Sequence, residues 1–185
     1  MTLTKIRISE ILIALLFVAV GISLRLLPHP PNFAPIAALA LFSGVYLPKA
    51  LALSVPMASM LISDIFLGFY EWQVSLAVYG SFFLCVFLGR VLSKRKRWPL
   101  IVGSSLVGSL VFFLTTNLAI WAFTPWYAKT FAGLINCFFL ALPFFRSTLL
   151  GDLFYTITFF GLYGLVNDWF LARQKKAEEA AIQNP

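Results

Sequence analysis

The sequence predicts an all-α integral membrane protein: six transmembrane helices with both termini in the cytoplasm. Three observations carry that reading. Of 185 residues, 61% are hydrophobic and 11% charged, with a mean hydropathy of +0.91, whereas soluble domains carry about a quarter charged residues. The apolar residues come in successive runs, and six spans of about 20 residues with short connections use the whole chain. The basic residues gather at alternate ends of those runs. With both termini inside, Lys5, Arg7, Lys49, Arg90, Lys94, Arg95, Lys96, Arg97, Arg173, Lys175 and Lys176 fall on the cytoplasmic side, and Arg25, Lys129 and Arg146 outside. That asymmetry sets the orientation by the positive-inside rule. It also accounts for the net charge of +7, so no nucleic-acid partner is expected.

Residues 8 to 27 form the first span. Lys5 and Arg7 precede it as they would a signal peptide. The run is too long for an h-region, however, and Arg25 and Leu26 stand where a small-residue cleavage site belongs, so the span is read as retained. Pro28, Pro30 and Pro31 then forbid a helix, because proline lacks an N–H and pushes its predecessor towards extended backbone. Such backbone is tolerated at the headgroup zone, or where protein or a water-filled cavity receives it. The turn around His29 is therefore read as the rim of an outward-facing small-molecule pocket.

Asn32 is placed to cap the next helix, with Pro35 in its first turn. That helix, Ala34 to Leu47, is short for a crossing and rich in small residues that allow close packing. Pro48 breaks the chain. The third span runs from Ala50 to Leu67, and Gly68 to Gln73 is an aromatic loop of interfacial type. The fourth, Val74 to Leu92, ends in Lys94-Arg95-Lys96-Arg97. Pro99 opens the fifth, which continues to Phe123, and Thr124 to Lys129 is a second aromatic turn. Phe131 to Leu142, bounded by Pro143, is too short to span and is read as an interfacial helix or pocket lid. The sixth span covers Phe144 to Leu171. Residues 1–171 thus make a single membrane domain, and 172–185 a polar cytoplasmic tail, frayed or disordered.

The remaining polar residues fall at similar depth. Asp64 lies about 22 Å along its helix from Lys49, and Asn117 about 27 Å from Pro99. Tyr79 and Asp152 come within two turns of the outer starts of their expected spans, with Arg25 and Arg146 near the same level. Intramembrane ionisable groups cost about 2–3 kcal/mol each on insertion scales and tend to mark functional sites. A polar cluster above an apolar floor describes a binding cup. The candidate substrate-binding residues are His29, Asn32, Asp64, Trp72, Tyr79, Asn117, Trp121, Arg146 and Asp152.

Plainer roles stand beside these. Asp64 and Asp152 can pair with Arg25 and Arg146 as structural ion pairs, and the arginines can snorkel to headgroups. Trp72 and Trp121 sit where aromatic belts form, His29 can be a turn residue, and Asn117 can link helices. Cys85 and Cys137 lack metal-type spacing, and Cys85 reads as packing. The hydrolase, zincin and P-loop signatures are missing. The chain is read as no enzyme, with no catalytic residue, metal or cofactor, and as unable to draw energy from ATP by itself.

Four phrases carry a resemblance: LPHPPNFAPIAALALFSGVYLP, PMASMLISDIFLGFY, TTNLAIWAF with the following WY, and ALPFFRSTLLGDLFY. Across about residues 24–165 the chain resembles a family of small, uncharacterised bacterial membrane proteins assigned to transport. That family is similar to the substrate-binding S components of energy-coupling factor (ECF) vitamin transporters. The resemblance implies an S-component-like six-helix bundle in the bacterial cytoplasmic (inner) membrane. It implies a small vitamin-like substrate held near the outer surface under the loops after helices one, three and five, and an ECF coupling subunit with its ATPases as candidate partners beside the lipid bilayer. S components often carry an alanine-xxx-alanine docking pattern on helix one. Here Ala14 and Ala19 are out of that register, and the nearest match is Ala34 with Ala38 on helix two, which leaves a solitary transporter open. In the alternative reading the chain is a structural membrane scaffold of the same architecture, recruiting partners through Lys94 to Arg97.

Overall fold

The computed structural model describes residues 7–183, with side chains described through residue 175. Lys5 and the side chain of Lys176, both used in the charge argument, lie outside the described residues. Six helices follow in order: α1 Ile8–Leu26, α2 Ile36–Tyr46, α3 Lys49–Leu67, α4 Trp72–Leu92, α5 Trp98–Phe123 and α6 Phe131–Gln183. No strand occurs among the described residues. All but α2 are long and apolar enough to cross a membrane. The α3–α4 and α5–α6 connections lie at one end of the bundle, the loop end. The turn around Lys94 to Arg97 lies at the other.

The short helix α2 is the axis of the molecule. Proline residues bound it on both sides, with Pro35 as its N-cap and Pro48 just beyond its end. All of it is buried except Ala37 and Tyr46, which are half-buried, and it packs against α3, α4, α5 and α6. Small residues permit this. A Cβ on Gly44 would lie 2.3 Å from the Val86 carbonyl oxygen, and one on Gly89 would lie 2.2 Å from that of Leu41. The backbones of α2 and α4 therefore touch at a reciprocal glycine contact. Beside it, Phe42 packs among Phe17, Tyr46, Phe159, Phe160 and Tyr163.

Two expectations are corrected. Asn32 does not cap α2. It sits at φ 63, the third residue of a β-turn closed by the Phe33 N–H donating to the Pro30 carbonyl at 3.0 Å. Proline second and a left-handed residue third is the type II pattern, and asparagine accepts that conformation better than most residues. The turn also descends instead of staying at an edge. Phe33 rests on Gly151 and on the rings of Phe154 and Tyr155, on the stretch of α6 that meets α5 through Asp152 and Thr156.

The second correction concerns Pro143. No break occurs there. Residues 131–142 are the first turns of α6, and the helix continues to Gln183 through the region expected to fray. Thr130 starts it, its hydroxyl accepting the Gly133 N–H at 3.1 Å. Phe113 of α5 meets Phe138 on one side of the proline and Phe145 on the other, so packing holds α6 against α5 across the missing hydrogen bond. Pro in a helix is tolerated where neighbours support it in this way.

Candidate functional site

With α6 continuous, Ala141, Phe145, Thr148 and Asp152 share one face at helical spacing. That face helps line two adjoining hollows. The larger, of about 550 Å³, lies between α4, α5 and α6 towards the loop end. Aromatic side chains (Tyr70, Phe112, Phe113, Trp126, Tyr127 and Phe145) make much of its wall, and its polar residues include Asn32, Glu71, Thr116, Asn117, Thr124 and Thr148. The smaller, of about 80 Å³, is lined by Arg25, Asn32, Thr148 and Asp152 among others. Asn32, Tyr70, Val78, Phe112 and Thr148 border both. Connections after α1, α3 and α5 all contribute, through Asn32, Tyr70 and Tyr127. Asn32, itself exposed, borders both hollows together with Phe112 and Thr148.

Behind the wall runs a charged network. Arg25 Nη1 lies 2.6 Å from Asp64 Oδ1 and donates to Ser63 Oγ at 2.5 Å and to the Met60 carbonyl at 3.3 Å. The Tyr79 hydroxyl donates to Asp64 Oδ2 at 2.7 Å. Asp64 is only 1% exposed and borders neither hollow. Its two oxygens are taken up in tying α1, α3 and α4 together. Asp152 is differently placed. It is 3% exposed and lines the small hollow. Ser109 Oγ donates to its Oδ2 at 2.5 Å, and no basic side chain pairs with it among the described residues. It lies about 32 Å along α6 from Phe131, not within two turns of the helix start, because α6 begins before Pro143.

The nine sequence candidates thus divide. Asn32 and Asn117 line the large hollow, and Asn32 and Asp152 the small one. Asn117 Nδ2 also donates to the Phe113 carbonyl at 2.8 Å. Asp64 and Tyr79 form the layer behind. His29 sits with Nε2 3.1 Å from the Arg25 carbonyl oxygen and Nδ1 2.8 Å from that of Pro30, at the end of α1. Trp72 is 67% exposed and borders an outer groove with Tyr79. The Trp121 indole donates to the Ala128 carbonyl at 3.0 Å; with Lys129, which donates to the Trp121 and Thr124 carbonyls, it braces the α5–α6 connection. Arg146 is exposed, on the side of α6 that also exposes Leu142 and Leu150.

Residues outside the candidate set complete the wall. Thr148 and Thr116 are buried and carry no charge to draw notice. Glu71, the one acidic residue of the Gly68–Gln73 segment, was legible as such. The aromatic residues read equally well as lipid-facing. No cluster of histidine, cysteine and acidic side chains suited to a metal occurs among the described residues. Walls of this kind, with a few convergent polar groups and a volume within the usual 300–1,000 Å³ range, can hold a small organic molecule.

Over residues 5–177 the chain matches a family of unknown function (DUF6580), and it belongs to that family. No curated protein and no solved structure matches it.

Proposed function

We propose that this member of a family of unknown function is a membrane-embedded binding subunit or solitary transporter for a small vitamin-like nutrient. Six helices span a bacterial cytoplasmic membrane in this reading, with both termini inside, and α2 completes its crossing together with the descending turn before it. The chain binds its substrate and does not transform it. The supporting observation is the hollow of about 550 Å³ facing the loop end, with aromatic walls and amide and hydroxyl groups from separate elements.

Substrate enters between the α3–α4 and α5–α6 connections, which close over it. Its apolar part packs on Phe112, Phe145 and Trp126, and its polar groups meet Asn117, Thr148 and Asn32. Release on the other side follows reorientation of the bundle in the bilayer. Ala34 and Ala38 are half-buried and buried respectively, so an ECF coupling subunit would dock elsewhere, for instance on the exposed face of α1 at Ile8, Leu12, Leu15 and Leu16.

Native mass spectrometry of the purified protein tests the reading. A small molecule should be retained, and Thr148→Trp, which fills the wall common to both hollows, should abolish retention without unfolding the protein. A purified protein that retains nothing and binds no member of a vitamin panel would overturn it and favour the scaffold.

A further inference from the structure

We infer that the ligand is an organic cation with a flat or compact apolar body, its charged group seated in the small hollow beside Asp152. This rests on the binding reading above. The acidic side chains lining the joined hollows are Glu71 at the loop end and Asp152 in the small hollow. Arg25 is the one basic side chain lining either among the described residues, and its charge is answered by Asp64 at 2.6 Å. Lys129 is spent on backbone carbonyls, and Arg146 lies on the other side of α6.

Asp152 is therefore a buried carboxylate with one hydroxyl donor and no counter-ion. In a low-dielectric interior a carboxyl group without a counter-ion is costly to ionise, and a cation seated beside it would hold it in the charged form. An anionic ligand would meet two carboxylates and no free cation. The walls agree, since the small hollow is also lined by the aromatic rings of Tyr70, Phe82 and Phe112, and aromatic faces attract cations. Size agrees as well: about 80 Å³ accepts an ammonium-sized group, and about 550 Å³ accepts the body attached to it. Thr148 and Asn32, which border both spaces, would accept hydrogen bonds from the charged group.

Three probes with one body test the sign of charge: 4-phenylbutylammonium, 4-phenylbutanol and 4-phenylbutyrate, titrated calorimetrically against the wild-type protein in neutral detergent. The ammonium should bind at least tenfold tighter than the alcohol, with the carboxylate weakest. Asp152→Asn should remove that preference, bringing the ammonium's affinity down to about that of the alcohol, whereas Glu71→Gln should lower ammonium affinity by no more than about threefold. The wild-type series stands alone if Asp152→Asn does not fold. Equal binding of the three probes, or tightest binding of the carboxylate, would overturn the cation assignment and leave the binding reading intact. Tighter binding of phenylalanine than of the ammonium would overturn it in favour of a zwitterion bridging Arg25 and Asp152. Failure of every probe would also overturn it, and retained-ligand mass spectrometry then decides the binding reading separately.

Discussion

At the scale of single residues, the two buried aspartates show how neighbours decide what the same side chain does. Asp64 has a guanidinium and a phenol on its two oxygens, whereas Asp152 has one serine hydroxyl. Removing one partner of a buried ion pair strands the other and costs about 3–5 kcal/mol. Asp64→Asn should therefore lower unfolding stability by that order in a denaturant titration, and the double replacement Arg25→Met, Asp64→Leu should recover most of it. In refolded Asp64→Asn, affinity for a cationic ligand should fall although Asp64 borders neither hollow, because Arg25, which lines the small one, loses its counter-ion. Asn32 makes a different demand. At φ 63 glycine should serve as well as asparagine, while Asn32→Val should be strained by about 1–2 kcal/mol, read as a lowered unfolding midpoint.

At the scale of elements, α2 and α6 carry the consequences. The α2–α4 contact leaves no room for a methyl group at either glycine. The facing atoms are backbone oxygens, which cannot rotate aside, so Gly44→Ala and Gly89→Ala should each destabilise by about 3 kcal/mol, at the upper end of overpacking costs. Thermal unfolding in detergent would check this; an unchanged midpoint would mean that α2 sits farther from α4. In α6, Pro143→Ala should leave the course of the helix unaltered, because Phe113 already grips both sides of the proline. Equal reactivity of engineered cysteine pairs across α5–α6 in both backgrounds would show it. A break at Pro143, suggested by the residue type alone, was misleading here for that packing reason.

At the scale of the whole molecule, orientation and occupancy are open to measurement together. Both native cysteines are buried, so single cysteines at the two ends can report without first removing them. Ala128→Cys at the loop end should react with an impermeant maleimide in intact cells, and Lys94→Cys only after lysis; the reverse pattern would invert the topology. With the loop end outside, the hollow faces the medium from which a nutrient would come.

Much of this was legible in the chain. Proline, glycine and the basic clusters act within a few residues of where they stand, so the helices, their order and most of their limits could be read from residues alone. So could the polar side chains that an apolar bundle must accommodate. Which of them share a cavity could not be read. That depends on how far α6 slides along α5 and how it is turned, and both follow from contacts distant in sequence: Phe113 against Phe138 and Phe145, Ser109 with Asp152, and Phe33 over Gly151. The sequence by itself determined an all-helical, strongly apolar chain with a small set of costly polar groups. Only the tertiary structure decided that Asp64 closes an ion pair while Asp152 meets a cavity and Arg146 faces away, because helix rotation and register are settled by packing between helices and not within any one of them.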